Sequence, residues 1–374
     1  MKIKGIYAVN FRNYGSCQLE IPSMINVFYG QNAQGKTNIL EAIFYSSFGM
    51  SHRTSSEDDL LKLGCMEMAV GISYESSSGY HNVKIKKYRQ QERWKKEILL
   101  DGAKVRPKEH YGSLNTVMFS PEDLQLVKGE PALRRRFFDM QIAQTDPIYY
   151  DLLVKYNRVL LQRNRLLKDI RDNDSSEALL KPWNEEFIQL ASAIVSKRLN
   201  ALTRLQEIAG EIYGSITSNK EVLEVYYEQK ANNSTLLYPN TPDTINEDFY
   251  HKLLLERQRI DILRGNTGIG PHRDDLQLLL NGMSLKSFGS QGQQRSGALA
   301  LKLSQLEYVR REIGEFPILL LDDVMSELDN SRRSQLLMFI DGRVQTFITV
   351  NDKELIPDLE GNAYFEICGG VINH

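Results

Sequence analysis

The octapeptide GQNAQGKT, Gly30 to Thr37, restricts what this chain can fold into more than any other feature. It fits the spacing G-x-x-x-x-G-K-[ST], and its flanks fit as well: INVFY before it is an unbroken apolar strand, and NILEAIFYSSF after it reads as a helix. A strand that turns into a helix through glycine aims backbone N–H groups at one spot, at the positive end of the helix dipole. Gly30 and Gly35 permit the sharp turns, and Gln31, Asn32, Ala33 and Gln34 supply the backbone between them. Lys36 would reach the β- and γ-phosphates of a nucleotide, and the Thr37 hydroxyl would ligate Mg²⁺. Such a loop needs a second strand ending in a carboxylate, and PILLLDDVMSELD supplies one. There Ile318–Leu321 reads as a buried strand, Asp322 stands to hold the metal, and Asp323 to orient or deprotonate an attacking water. No guanine-reading NKxD element occurs, since Asn351–Asp352–Lys353 has the wrong order. Adenine is therefore expected.

The chain has 374 residues, enough for two domains, and its 41% hydrophobic and 25% charged residues are ordinary for a globular protein. MKIKGIYAVNFRNY holds no apolar run of signal-peptide length, and no stretch approaches a membrane span. Cys17, Cys65 and Cys368 are too scattered for a metal pair or a disulfide framework, which suits a reducing, cytoplasmic setting. Strands are expected from Ile3 to Val27 and from Met66 to Phe119, and helices from Pro131 to about Ser218. In the first long helix Leu152, Leu153, Tyr156, Val159, Leu160, Leu166 and Leu167 share a face, with Arg158, Arg163, Lys168 and Arg171 elsewhere. NNSTLLYPNTPDT reads as a loop before a third helix near Glu247–Leu263, and strands and helices alternate again from Asp274. The expected plan is an α/β head in two parts, 1–130 and 266–374, interrupted by an inserted all-helical lobe at 131–265.

A further anion site is suggested by SFGSQGQQRSGALALKLSQL, which begins at Ser287. Leu299, Leu301, Leu303 and Leu306 mark an amphipathic helix, yet Ser290, Gln291, Gly292 and Gln293 at its start carry no charge. Small residues and amides leave helix N–H groups approachable by an anion, where an acidic cap would repel one. With the phosphate loop and LLLDDVMSELD, this stretch resembles the ABC ATPase heads of the SMC and Rad50 class. NFRNYGSCQLEI, GQNAQGKTNILEAIFYSSFGMSHRT, FSPEDLQLVKGEPALRRRFFD, GIGPHRDDL, SQGQQRS and LLLDDVMSELD, in that order from Asn10 to Asp329, narrow the resemblance to the RecF family of bacterial recombination mediators.

That resemblance implies an ABC ATPase head with a mixed, mainly parallel sheet and N-terminal antiparallel strands. It implies ATP with Mg²⁺, and a homodimer that ATP closes. Ser290–Gln293 would then serve as a signature acting in trans on the partner's nucleotide, with Ser326 and Asp329 in the D-loop at the seam. It also implies binding to duplex DNA and single-strand/double-strand junctions, and work with RecO and RecR in loading RecA in place of single-strand-binding protein. A nucleoid-associated place in replication, repair and the SOS response goes with it. Asp323 stands where transporter ATPases carry Glu, so slow hydrolysis is expected. No histidine follows the strand QTFITV, and Thr349 or Asn351 is left to substitute; Gln125 is the candidate glutamine-loop residue. For DNA contact, Val83–Lys108 holds ten basic residues against three acids, with Lys84, Lys86, Lys87, Arg89, Lys95 and Lys96 as the candidates. Arg134–Arg136 and the helical lobe are further candidates, one of these arginines being open to pairing with carboxylates in the head instead. His272 and Arg273 are expected in a loop beside the signature. A transporter nucleotide-binding subunit or a purely structural SMC-like head are the competing readings; the helical insertion speaks against the first and its shortness against the second.

Overall fold

Alternation in KIKGIYAVNF sends Ile3, Ile6, Ala8 and Phe11 inward along the strand Lys2–Phe11, with an irregularity between Ile3 and Gly5 that resets the inward register. This strand lies in a six-stranded antiparallel sheet, in the order Tyr14–Glu20, Lys2–Phe11, Glu67–Ser76, Gly79–Gln90, Arg93–Leu100 and Ala103–Val105. The apolar runs do the opposite: ILLLD and TFITV are buried at every position, as strands of a parallel sheet covered on both faces must be. That sheet runs Val371–Asn373, Ala363–Cys368, Ile25–Tyr29, Thr346–Val350, Ile318–Asp322 and Thr116–Phe119, parallel except for its terminal hairpin. Thr346–Val350 sits between the strand that leads into the phosphate loop and the strand that ends in Asp322. Register sets Thr349 opposite Asp322 on one side and Phe28 on the other. The carboxyl ends of the strands thus form the crevice where α/β sheets bind ligands.

The computed structural model describes residues 1–231, 234–238, 246–356 and 361–373. The chain divides into two units, Met1–Asp123 with Gln305–His374, and Leu124–Ser304. Both sheets above belong to the first, here called the head. The second, the lobe, is built on the helices Pro131–Thr145, Pro147–Arg171, Leu180–Thr217 and Glu247–Arg264. Asp146 caps the second of these by accepting from the N–H groups of Ile148 and Tyr149, and Pro147 fills its first position, where no N–H is needed. The 38 residues of Leu180–Thr217 make a rod of about 57 Å.

Two expectations about the lobe need correction. It is not all-helical: Ser234–Tyr238, Leu223–Ala231, Asp275–Leu280 and Met283–Ser284 form a four-stranded antiparallel sheet. Of the expected loop NNSTLLYPNTPDT, Ser234–Tyr238 is a strand, and the rest lies outside the described residues. The second correction is Arg163, which is fully buried. It donates to Asn184 Oδ1 (2.8 Å), Asp261 Oδ2 (3.2 Å) and Thr267 Oγ1 (2.6 Å), so helical phase alone misplaced it.

Candidate nucleotide site

The phosphate loop joins the strand Ile25–Tyr29 to the helix Lys36–Phe48, and its backbone takes left-handed φ at Gly30 (146°), Ala33 (63°) and Gly35 (116°). Gly30 is further required because a Cβ there would meet Ile367 O at 2.5 Å. Lys36, the first residue of the helix, is nearly buried and donates to Gly30 O (2.5 Å), Gln31 O (2.9 Å) and Asn351 Oδ1 (2.8 Å). Burial lowers its pKa, against the opposing pull of Asp323 and Asp322. The next residue, Thr37, donates from Oγ1 to Asp322 Oδ1 at 2.7 Å. Thr349 Oγ1 donates to the same carboxylate oxygen at 2.7 Å and accepts from the backbone N–H of Asp323 at 2.9 Å. Burial raises the Asp322 pKa, partly offset by these two hydroxyls.

Asp323 occupies the left-handed region (φ 52°), a strained setting for a non-glycine residue. Ser326 Oγ donates to its carbonyl (2.7 Å) and its carboxylate (2.9 Å). Asp329 caps the helix Asn330–Ile340, accepting from Arg332 N at 2.9 Å, and its carboxylate pairs with the Arg332 guanidinium. Tertiary structure therefore brings together Lys36, Thr37, Asp322, Asp323, Ser326, Thr349 and Asn351 from three separate segments.

Six residues of this neighbourhood, Arg12, Asn13, Asn38, Glu41, Ser51 and Arg53, were not singled out from the sequence. Arg12 forms a two-pronged pair with Glu41 (2.8 and 2.6 Å), and Glu41 also accepts from Ser51 Oγ at 2.6 Å. Burial would raise the Glu41 pKa, but the hydrogen bonds from Arg12 and Ser51 hold it below its ordinary value. Asn13 donates to Gln34 O at 2.9 Å and accepts from Asn38 Nδ2 at 2.8 Å. Arg12, Asn13, Asn38 and Arg53 line a cavity of 590 Å³ together with Asp59, Leu61, Lys62 and Leu63. Polar residues clustered in NFRN and SHRT were the available signal.

In the lobe, Ser290 N donates to Gln293 Oε1 (2.7 Å) and Gln293 N to Ser290 Oγ (3.2 Å), a reciprocal capping box at the start of the helix Gln291–Ile313. Gln291 is exposed and Gly292 half-buried beside it. Gln125 is exposed and opens the short helix Gln125–Lys128. Arg134 makes a buried two-pronged pair with Asp275 (2.7 and 2.6 Å), Arg135 donates to Asp274 O (2.8 Å), and Arg136 is exposed. The carboxylate partner of Arg134 is thus in the lobe. His272 is half-buried in that unit between Tyr156 OH (2.6 Å) and Thr267 O (3.1 Å), and Arg273 lies beside Thr267 O as well.

In the basic strands of the head, three of the six candidate cations pair with carboxylates. Lys87 is buried, bonded to Asp58 at 2.5 Å and over the Trp94 ring; Lys96 bonds Glu57 and Gly49 O; Arg89 pairs with Glu92 at 2.6 Å. Lys95 donates to Gln90 at 2.5 Å, Lys84 lies 4.7 Å from the Tyr7 ring centre, and Lys86 faces Glu97 across the strand pair. Among the described residues no cluster of three or more His, Cys, Asp or Glu could hold a metal, and no helix is long and apolar enough to cross a membrane.

The chain matches the RecF/RecN/SMC N-terminal domain family over residues 2–365. It is 40% identical over 375 residues to the DNA replication and repair protein RecF of Lysinibacillus sphaericus, covering 100% of this chain and 99% of that one. To RecF of Acetivibrio thermocellus it is 40% identical over 374 residues, 99% of each chain. The solved structure of the recombination mediator protein RecF with ATP in the RecFOR pathway superposes with a TM-score of 0.89 at 35% identity, covering 100% of this chain and 97% of the other. The Smc head domain of Pyrococcus furiosus shares the fold alone, with a TM-score of 0.56 at 15% identity over 100% of this chain and 95% of that one. With the phosphate loop, the paired aspartates and the near-complete coverage of those relatives in view, this chain belongs to the RecF family of DNA replication and repair proteins.

Proposed function

We propose that this chain is an ATP-gated clamp: two copies close around nucleotide, bind duplex DNA at the edges of single-strand gaps, and part again after slow hydrolysis. Membership of the RecF family makes the chain an ATPase of recombinational repair; the gating, the metal and the DNA surface are the proposal. The observation that carries it is the convergence of Lys36, Thr37 and Asp322, since hard oxygen donors 2.7 Å apart beside an ammonium group fit Mg²⁺ and phosphate together. Thr37 and the Asp322 oxygen not taken up by the two hydroxyls would hold the metal, which when bound supplies charge neutralisation at the transferred phosphate. Lys36 now spends its protons on two carbonyls of its own loop and on Asn351, and trades part of that set for phosphate oxygens on binding. Asn351 is exposed and touches Lys36, whereas Thr349 is buried and committed to Asp322 and Asp323. Asn351 therefore takes the place of the missing histidine.

Asp323 is the water-orienting residue, and its carboxylate is held by Ser326. Ser326 must release it before hydrolysis, which together with the short side chain makes turnover slow. Ser290–Gln293 of a second copy completes each site through the uncharged helix start. RecO and RecR are the proposed partners, given that the similar solved structures belong to the RecFOR pathway; RecA loading is the proposed outcome.

For DNA contact the lobe offers a helix face of exposed cations. On the helix Pro147–Arg171, Val154, Arg158, Leu161, Arg165 and Lys168 recur at helical spacing and are exposed. Its three cations have no carboxylate partner among the described residues, and they match a phosphate backbone in charge. The test is fluorescence anisotropy of a labelled gapped duplex with ATP, with ADP, and with Lys36→Ala plus ATP. Tight binding with ATP alone is expected, and equal binding in all three conditions would sink the gating. In the same assay Arg158→Ala/Arg165→Ala should lower the salt slope by about 2 if both touch phosphate.

A further inference from the structure

The turn Gly369–Gly370, between the strands Ala363–Cys368 and Val371–Asn373, lies 335 residues from Gln34 in sequence and is hydrogen-bonded to it in the fold. Gly369 N donates to Gln34 Oε1 at 2.6 Å, and Gly370 N donates to Gln34 O at 3.1 Å. Asn13 Nδ2 donates to the same carbonyl at 2.9 Å. Both glycines take left-handed φ, 57° and 79°, and a Cβ on Gly370 would meet Asn13 O at 3.0 Å. A trans peptide sets its C=O and the following N–H on opposite edges. With two donors on Gln34 O, the Gly35 N–H is fixed pointing away from Asn13 and Gly370. Ile367, just before the turn, supplies the carbonyl that backs Gly30. The hairpin thus touches the phosphate loop at both of its glycine ends.

We infer that the Gly369–Gly370 turn is a latch on the phosphate loop, with Gln34 as its catch, and that it sets nucleotide affinity by fixing the Gln34–Gly35 peptide. These are positioning residues, and the inference rests on the nucleotide reading proposed above. An unlatched loop must order itself on binding, so the loss falls on the dissociation constant and KM while kcat stays. The variants are Gln34→Ala, which removes the side-chain catch, and Gly370→Ala, which strains the turn against Asn13.

Two measurements separate the latch from the nucleotide reading. Without nucleotide, hydrogen exchange at the Gly369 amide should quicken about tenfold in Gln34→Ala, the effect of losing one hydrogen bond. With a fluorescent ATP analogue carrying a methylanthraniloyl group, each variant should bind about 5- to 20-fold more weakly, and Gly370→Ala, which lies outside the phosphate loop, should keep kcat at saturating ATP within about twofold of the parent. Unchanged affinity in both variants overturns the latch, whether or not exchange quickens, because the bonds are then packing alone. A fall in kcat at unchanged KM overturns it as well. A parent chain that fails to bind the analogue overturns the nucleotide reading instead, and that result is visible before any variant is made.

Discussion

Two charged clusters, one in the head and one in the lobe, use hydrogen bonds in opposite ways. In the lobe, Arg198 is buried and donates to Asp139, Tyr149 OH, Tyr227 OH and Pro271 O, while Tyr227 OH donates to Asp274 at 2.5 Å. Every partner is itself part of the fixed fold. In the head, Lys36 is almost as buried, but its acceptors are two carbonyls of a tight loop and the side chain of exposed Asn351. The lobe cluster is sealed and carries stability, because removing one member leaves a buried charge unpaired. The head cluster is provisional, and its bonds can be exchanged for a ligand's. Burial and charge look alike in the two places. What differs is whether the partners can be given up.

The sharpest way to break this comparison is to remove each cation. Arg198→Met should cost the lobe about 3–5 kcal/mol in urea denaturation, since Asp139 and Asp274 lose their buried counter-charge. A cost under about 1 kcal/mol would mean the lobe cluster is no more structural than the head's. Lys36→Met should weaken nucleotide binding about 100-fold, roughly 3 kcal/mol for two charge-assisted bonds, yet leave the melting temperature near that of the parent. A large fall in melting temperature would erase the contrast.

The pH dependence of the lobe sharpens it next. Burial first of all pushes the Asp274 carboxyl up to about 7, and burial pushes His272 down to about 4. Facing Asp274 are Tyr227, Arg198, Arg135 and Glu228; facing His272 are Tyr156, Arg273, Arg135 and Arg198. An acid raised in the fold contributes stability at low pH that is lost as pH rises through about 7. A base lowered in the fold contributes stability above its ordinary value that is lost as pH falls through about 4. Between about 4 and 7 the two oppose each other, the Asp274 contribution falling with pH while that of His272 rises, so the urea midpoint of the parent should be nearly flat there. Asp274→Asn should gain on the parent by about 1–3 kcal/mol between pH 5 and pH 8, and a parallel pH profile would refute the assignment. The smallest effect is expected at Thr349→Val. Losing the hydroxyl that joins Asp322 to the Asp323 backbone should lower kcat about tenfold and raise the Mg²⁺ needed for half-maximal rate.

Much of the local structure was legible in advance. The phosphate loop, the helix behind it, the strand ending in Asp322 and the helix from Glu247 all depend on neighbours within a few residues, and all stand where the pattern places them. The choice between Thr349 and Asn351 was not legible, because it turns on the register of three parallel strands. Nor was the lobe sheet, whose strands Leu223–Ala231 and Asp275–Leu280 pair across an intervening helix. Lys87 and Lys96 read as surface cations from local composition, yet Asp58 and Glu57 from a distant turn engage both.

The sequence by itself determined the set of groups this protein brings to its candidate site: a glycine-bounded loop, a lysine, a hydroxyl and two carboxylates at spacings that backbone geometry can gather. Only the tertiary structure decided which charges are available and which are committed, and that Gln34 is held by a turn near the other end of the chain. The physical reason is one of range. Backbone dihedrals and side-chain periodicity act over a few residues, whereas the partner of a charge is set by whatever sheet register and helix packing bring within about 3 Å of it.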